Sequence, residues 1–137
     1  MTRLPALALL LALALAGCGA ATTDSATEFE GAEQDVARAV EDLEEAAQED
    51  EPRRICQALL AKEVVERIEG SGTQCVDVVG KALDEADTFT LTVESVRVSG
   101  TTARARVETG SDEEKLEILE LVREGDAWKI AGLPGAS

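Results

Sequence analysis

The sequence predicts an α+β fold, with N-terminal helices packed on a curved antiparallel sheet of about four strands. Two observations predict it. Apolar residues recur at helical spacing from Ala32 to Ala86, and after Asp87 the period switches to two. Gly-containing turns then divide the remaining sequence into short alternating runs. With 137 residues, the chain has room for one domain, since a domain takes roughly 100–200.

Val36, Val40, Leu43 and Ala47 share one face of the first helix, and Glu and Asp fill most other positions. This is an amphipathic helix with an acidic outer side. Asp50-Glu51-Pro52 ends it, because proline cannot extend a helix without losing a hydrogen bond yet suits the first turn of a new one. Asp50 or Glu51 is then the expected N-cap region of a second helix, which turns Ile55, Cys56, Leu59 and Leu60 inward. That helix is expected to continue, kinked or straight, through Val64, Val65 and Ile68. Gly70-Ser71-Gly72 stops it. Thr73 is the candidate cap of a third helix presenting Cys75, Val79, Leu83 and Ala86 on one side.

Phe89, Leu91 and Val93 open the first strand, and the apolar set resumes one residue out of phase at Val96 and Val98. Such a slip would exchange buried and exposed faces unless a β-bulge absorbs it. Ser99-Gly100-Thr101-Thr102 turns the chain into a return strand carrying Ala103, Ala105 and Val107. Pairing Val98 with Ala103 and Val96 with Ala105 sets Glu94 and Ser95 together opposite Arg106. Glu94 and Arg106 would then meet on the exposed face. After an acidic loop at 110–114, Leu116 to Val122 is expected to be a strand partly buried on both faces. Glu124-Gly125-Asp126-Ala127 leads into the last strand, opened by Trp128 and Ile130 and ending near Leu133-Pro134.

One cation, Arg3, precedes an apolar run from Leu4 to Ala16, the layout of an export signal. The run is too short to span a bilayer, which takes ~20 apolar residues. It ends in Leu15-Ala16-Gly17-Cys18, which resembles the lipobox of bacterial lipoproteins. The resemblance implies that residues 1–17 are a signal peptide cut between Gly17 and Cys18. It also implies that the Cys18 thiol carries a diacylglyceryl group and that the protein sits outside the cytoplasm, lipid-anchored to the bacterial cell membrane. Acyl chains contribute ~0.8 kcal/mol per buried methylene, and two or more anchor stably. Residues 18–31 then read as the lipidated Cys and a flexible tether, and 32–137 as the folded domain.

With Cys18 so used, Cys56 and Cys75 remain, an even number in a compartment that is not strongly reducing. They are expected to form a disulfide stapling consecutive helices; the alternative is two buried thiols acting as small hydrophobes. The chain has no histidine and too few thiols for a zinc site. No metal or cofactor is expected.

The hairpin LTVESVRVSGTTARARV and the closing LELVREGDAWKIAGL, following the helices, resemble an NTF2-like domain, also called the cystatin-like cone fold. The likeness runs from about Ala32 to Leu133. It implies helices wrapped over the concave face of the sheet, with a pocket between them. Phe89, Leu91, Val93 and Trp128 are the candidate lining, although a lone Trp128 also reads as core. Enzymes of that superfamily pair an Asp base with Tyr, His or a second acid, and this chain has neither Tyr nor His. Asp77, Asp84 and Asp87 lie nearest the implied pocket, but each also suits a helix surface or terminus. No catalytic residue is assigned, and the chain is not expected to be an enzyme.

There are 28 acidic and 13 basic residues, a net charge of −15; cleavage before Cys18 removes Arg3 and leaves −16. Such a surface repels phosphate backbones, which argues against nucleic acid as a partner. It also lacks a polybasic patch for lipid headgroups, so the membrane is reached through the lipid on Cys18. The acidic runs lack the alternating oxygen ligands and turn glycine of a calcium loop and read as solvated faces. Arg104 and Arg106 suit either a grip on an anionic ligand or cross-strand pairing with Glu94, Glu117 or Glu120. The expected function is a non-catalytic binding module for an envelope protein or a small ligand. A structural head of the cell envelope and an enzyme using the cone pocket are the alternatives.

Overall fold

Helix α1, Gly31–Gln48, buries Val36, Ala37, Val40, Leu43, Ala46 and Ala47 along a single stripe. The alanines let its backbone approach the sheet closely, and Val36 and Val40 are fully enclosed. These features come from a computed structural model, which describes residues 25–86, 89–110 and 115–132. The segment before α1 is not all tether. Ser25–Glu28 forms a 3-10 turn, Ala26 is 2% exposed, and its N–H donates to Glu41 Oε1 at 2.8 Å. Phe29 packs against the core as well. The folded unit therefore begins by Ser25, not at Ala32, because two apolar residues in an otherwise polar stretch have a place in the core.

Of the two candidate caps at the end of α1, each has its own role. Glu51 N–H donates to Ala46 O and Asp50 N–H to Ala47 O, with Asp50 at φ 55. This is a Schellman closure, whose left-handed position is usually glycine. Asp50 thus terminates α1, and Glu51 is the N-cap of the next turn, α2, Pro52–Arg54. A π-helical turn, Ile55–Leu59, follows directly.

The second helix does not run on to Ile68. Leu60 and Ala61 are extended and buried. Leu60 bridges Ile130 in parallel, and Ala61 N–H donates to Ile130 O at 2.8 Å. Two apolar residues here do more by covering a sheet edge than by continuing a helix, since an uncovered edge leaves backbone groups unpaired. Helix α3, Lys62–Glu69, starts afresh, its first N–H, Lys62, held by the Glu124 carboxylate at 3.0 Å. Ser71 and Thr73 hydroxyls both donate to Ile68 O. Thr73 therefore closes α3, and it does not cap α4, Cys75–Glu85, whose N-cap is Gln74. Val79 and Leu83 are half-buried on α4, while Ala86 is exposed.

Four antiparallel strands follow in the order β1-β2-β3-β4: β1 Leu91–Ser99, β2 Thr102–Thr109, β3 Lys115–Glu124 and β4 Ala127–Gly132. Val98 pairs with Ala103, Val96 with Ala105 and Ser95 with Arg106, and the register shifts between Val93 and Ser95. Glu94 is the extra residue of the bulge, which keeps Leu91, Val93 and Val96 all buried. A second, unanticipated shift lies in β4: Leu121 pairs with Ile130 but Glu120 with Gly132, leaving Ala131 as the extra residue. Phe89, expected within the first strand, precedes it and is half-buried; Gln48 Nε2 donates to its carbonyl at 3.0 Å. The sheet is open, with α1 and the π-turn on its inner face.

Candidate interaction surface

Successive side chains of a strand point to opposite faces, so the register fixes what the outer face of the sheet presents. Its rows read across the strands. Ser99, Thr102, Val122 and Lys129 form the first; Arg97, Arg104, Glu120 and Gly132 the second; Ser95, Arg106 and Ile118 the third; Thr92, Glu108 and Leu116 the fourth. Arg97 and Arg104 are direct cross-strand neighbours, and Arg106 stands two residues along from Arg104. Arg104 Nη2 meets Glu120 Oε1 at 3.2 Å, with both side chains more than half exposed. Among the described residues no salt bridge joins Arg97 or Arg106 to a carboxylate. Glu94 and Arg106 share the exposed side without an ion pair.

Beside this cluster, Leu116 and Ile118 are 49% and 51% exposed. The sequence reading buried both faces of this strand in part; the structure buries only one there. On that inner face the strand offers Glu117, Leu119 and Leu121. Leu119 and Leu121 are core, whereas the half-buried Glu117 pairs with Lys115 at 2.6 Å. The β4 bulge opens a cavity of about 240 Å³ at the same face, bordered by Thr102, Arg104, Glu120, Val122 and Ala131.

Two other surface cavities are described. One of about 480 Å³ lies at the α1–α2 corner beside Asp50, Arg53, Arg54 and Gln57. Arg54 is already engaged by Glu45 at 2.8 Å, Glu51 at 3.1 Å and Glu49 at 3.6 Å. The hydrogen bonds it donates to Glu45 and then to Glu51 raise its pKa further above the ordinary guanidinium value. This is an ion-pair hub tying α1 to α2. The other cavity, of about 260 Å³, is bordered by Asp35, Arg38, Asp42, Asp126 and Trp128.

The four expected pocket residues are not gathered around an open cavity among the described residues. Leu91, Val93 and Trp128 are 5%, 3% and 8% exposed and belong to the core, and Phe89 packs on it. Asp77 and Asp84 are exposed on α4, and Asp87 lies outside the described residues, as do Gly17 and Cys18. Cys56 and Cys75 are joined by a disulfide, with Cα atoms 6.1 Å apart. Among the described residues no acid, Cys or His cluster is arranged to hold a metal ion, and no helix is long and apolar enough to cross a membrane.

No protein-family model, curated protein or solved structure matches the chain. The outer sheet face is thus distinguished by its own chemistry. The sequence marked only the Arg104 and Arg106 pair on this face; Leu116 and Ile118 were indistinguishable from core residues until the register placed Glu117 inward.

Proposed function

We propose that the chain is a lipoprotein anchored outside the cytoplasm through Cys18, and that its head is a non-catalytic binding module working through the outer face of the sheet. The single observation that carries the second part is that face itself. Two large aliphatic side chains stand about half exposed beside three arginines, only one of which is ion-paired among the described residues. The NTF2-like reading of the head is supported by the order of helices followed by an antiparallel meander with a bulged first strand. Support for the anchor comes from the apolar run ending at Cys18.

Because the folded unit begins by Ser25, six residues separate it from Cys18. At 3.3–3.6 Å per residue they reach at most about 25 Å, so the head works close to the bilayer. Two comparisons test the proposal. Palmitate labelling should be lost in Cys18→Ala; labelling that persists overturns the anchor. Crosslinking in intact membranes should give discrete partner adducts that disappear in Ile118→Asp, and adducts unchanged by that substitution remove this face from the interaction.

A further inference from the structure

We infer that the outer face of the sheet binds an acidic protein segment with the pattern acid-x-acid-x-aliphatic. The carboxylates would sit on Arg97/Arg104 and Arg106, and the aliphatic side chain between Ile118 and Leu116. This rests on the reading of that face as the interaction surface and names the chemistry of its partner.

The arrangement of charge is the first reason. Like charges directly opposite one another on paired strands are destabilising, and Arg97 faces Arg104 in this way. The chain has 28 acids, yet among the described residues only Glu120 is paired with this arginine group. Guanidinium groups left without carboxylates are ready for bidentate capture of a partner's.

Spacing is the second. Arg104 and Arg106 are two residues apart on one strand, about 7 Å at ~3.4 Å per residue. Side chains at i and i+2 of an extended segment repeat at the same interval. A segment lying along β2 would therefore set two carboxylates on the arginines. Its i+4 side chain would reach the last row, where Leu116 stands beside Glu108 and next to Ile118.

The remaining charge narrows the partner. A bilayer surface rich in anionic lipid is recruited by clusters of about four to eight cations, and here three arginines are set in a chain of net charge −15. A second copy would bring the same net charge with it. A short acidic segment meets the local arginines with the least repulsion from the rest of the head.

The test is fluorescence anisotropy with full-length protein in neutral detergent. The probe is a fluorescein-labelled peptide, Glu-Ser-Glu-Ser-Leu with glycine flanks; the control replaces both Glu by Lys. We expect saturable binding of the acidic peptide only, weakened at least tenfold by Arg106→Glu and by Ile118→Asp. Both positions are exposed, and unchanged thermal melts would confirm folding. Absence of binding, equal binding by the variants, or preference for the Lys peptide overturns the inference. Arg106-dependent binding to phosphatidylglycerol vesicles instead, or Arg106-dependent self-association in sedimentation, also overturns it while leaving the face an interaction surface. Membrane adducts that survive Ile118→Asp overturn the underlying reading itself.

Discussion

Breaking the Cys56–Cys75 bridge should cost about 3 kcal/mol, with the loss concentrated in the α3–α4 hairpin. The bridge spans 19 positions. Loop-closure entropy of −2.1 − 1.5R ln n then gives roughly 11 cal/mol/K, or ~3 kcal/mol at 25 °C. For a domain of this size, ~4 °C of Tm per kcal/mol makes that a fall of about 12 °C. The location follows from burial. Helix α3 has no fully buried residue and α4 has one, Cys75 itself. The other side chains this hairpin packs on the core, among them Val64, Ile68, Val79 and Leu83, are partly buried. The bridge is therefore its one fully buried link. Calorimetry of the oxidised and reduced wild-type protein isolates the crosslink, because both forms keep the buried sulfurs. Cys56→Ala/Cys75→Ala should fall at least as far. In denaturant the reduced protein should show a larger m-value, since the uncrosslinked unfolded chain exposes more surface. Hydrogen exchange should quicken first over 62–85 while β1–β4 stay protected. A Tm change under about 3 °C, or uniform loss of protection, would refute the reasoning.

Two further perturbations follow from single contacts. Asp50 holds φ 55 in the Schellman closure of α1, a position where glycine carries no Cβ penalty. Asp50→Gly should therefore stabilise the protein by ~0.5–1 kcal/mol, seen as a Tm a few degrees higher; a lower Tm would mean the carboxylate is needed there. Lys115 has its pKa raised above the ordinary 10.5 by its hydrogen bond to Glu117 and then by that residue's charge. A raised folded-state pKa means that the stabilisation is fully present below pH 10.5 and is lost as pH climbs through the folded value. An NMR titration of Lys115 should show its midpoint falling in Glu117→Gln, and an unmoved midpoint would contradict the pairing.

The pairing register of the β1–β2 hairpin was legible because period-two alternation leaves no other, although the strand begins at Leu91 and not at Phe89. Once Val96 is out of phase with Val93, only a bulge keeps both buried, and Glu94 supplies it. The cysteine pair was legible from parity. What could not be read were choices decided by distant partners. Leu60 and Ala61 carry a helical pattern, yet Ile130, 70 residues on, draws them into an extended bridge. Thr73 has the chemistry of an N-cap, but Ile68 O is nearer at hand. Leu116 and Ile118 look like core, and only the pairing of Glu117 with Val107 turns them outward. The same cause hid most of the candidate surface: Arg104 and Arg106 were legible as a possible grip, but the face is assembled across β1, β2 and β3, and no local segment contains it.

Charge is distributed so that this surface differs from everything around it. Residues 25–86 hold 17 acidic and six basic side chains, whereas the described residues between 91 and 132 hold six of each. A partner approaching the helices meets an acidic field. One approaching the outer sheet meets guanidinium groups and exposed aliphatic side chains. Since the field of the whole molecule governs encounter while local groups govern the bound state, an acidic segment should associate slowly at low ionic strength. Moderate salt should quicken its approach before it weakens the contacts. A face that selected cations, or one that selected nothing, would show the opposite order or no salt dependence at all.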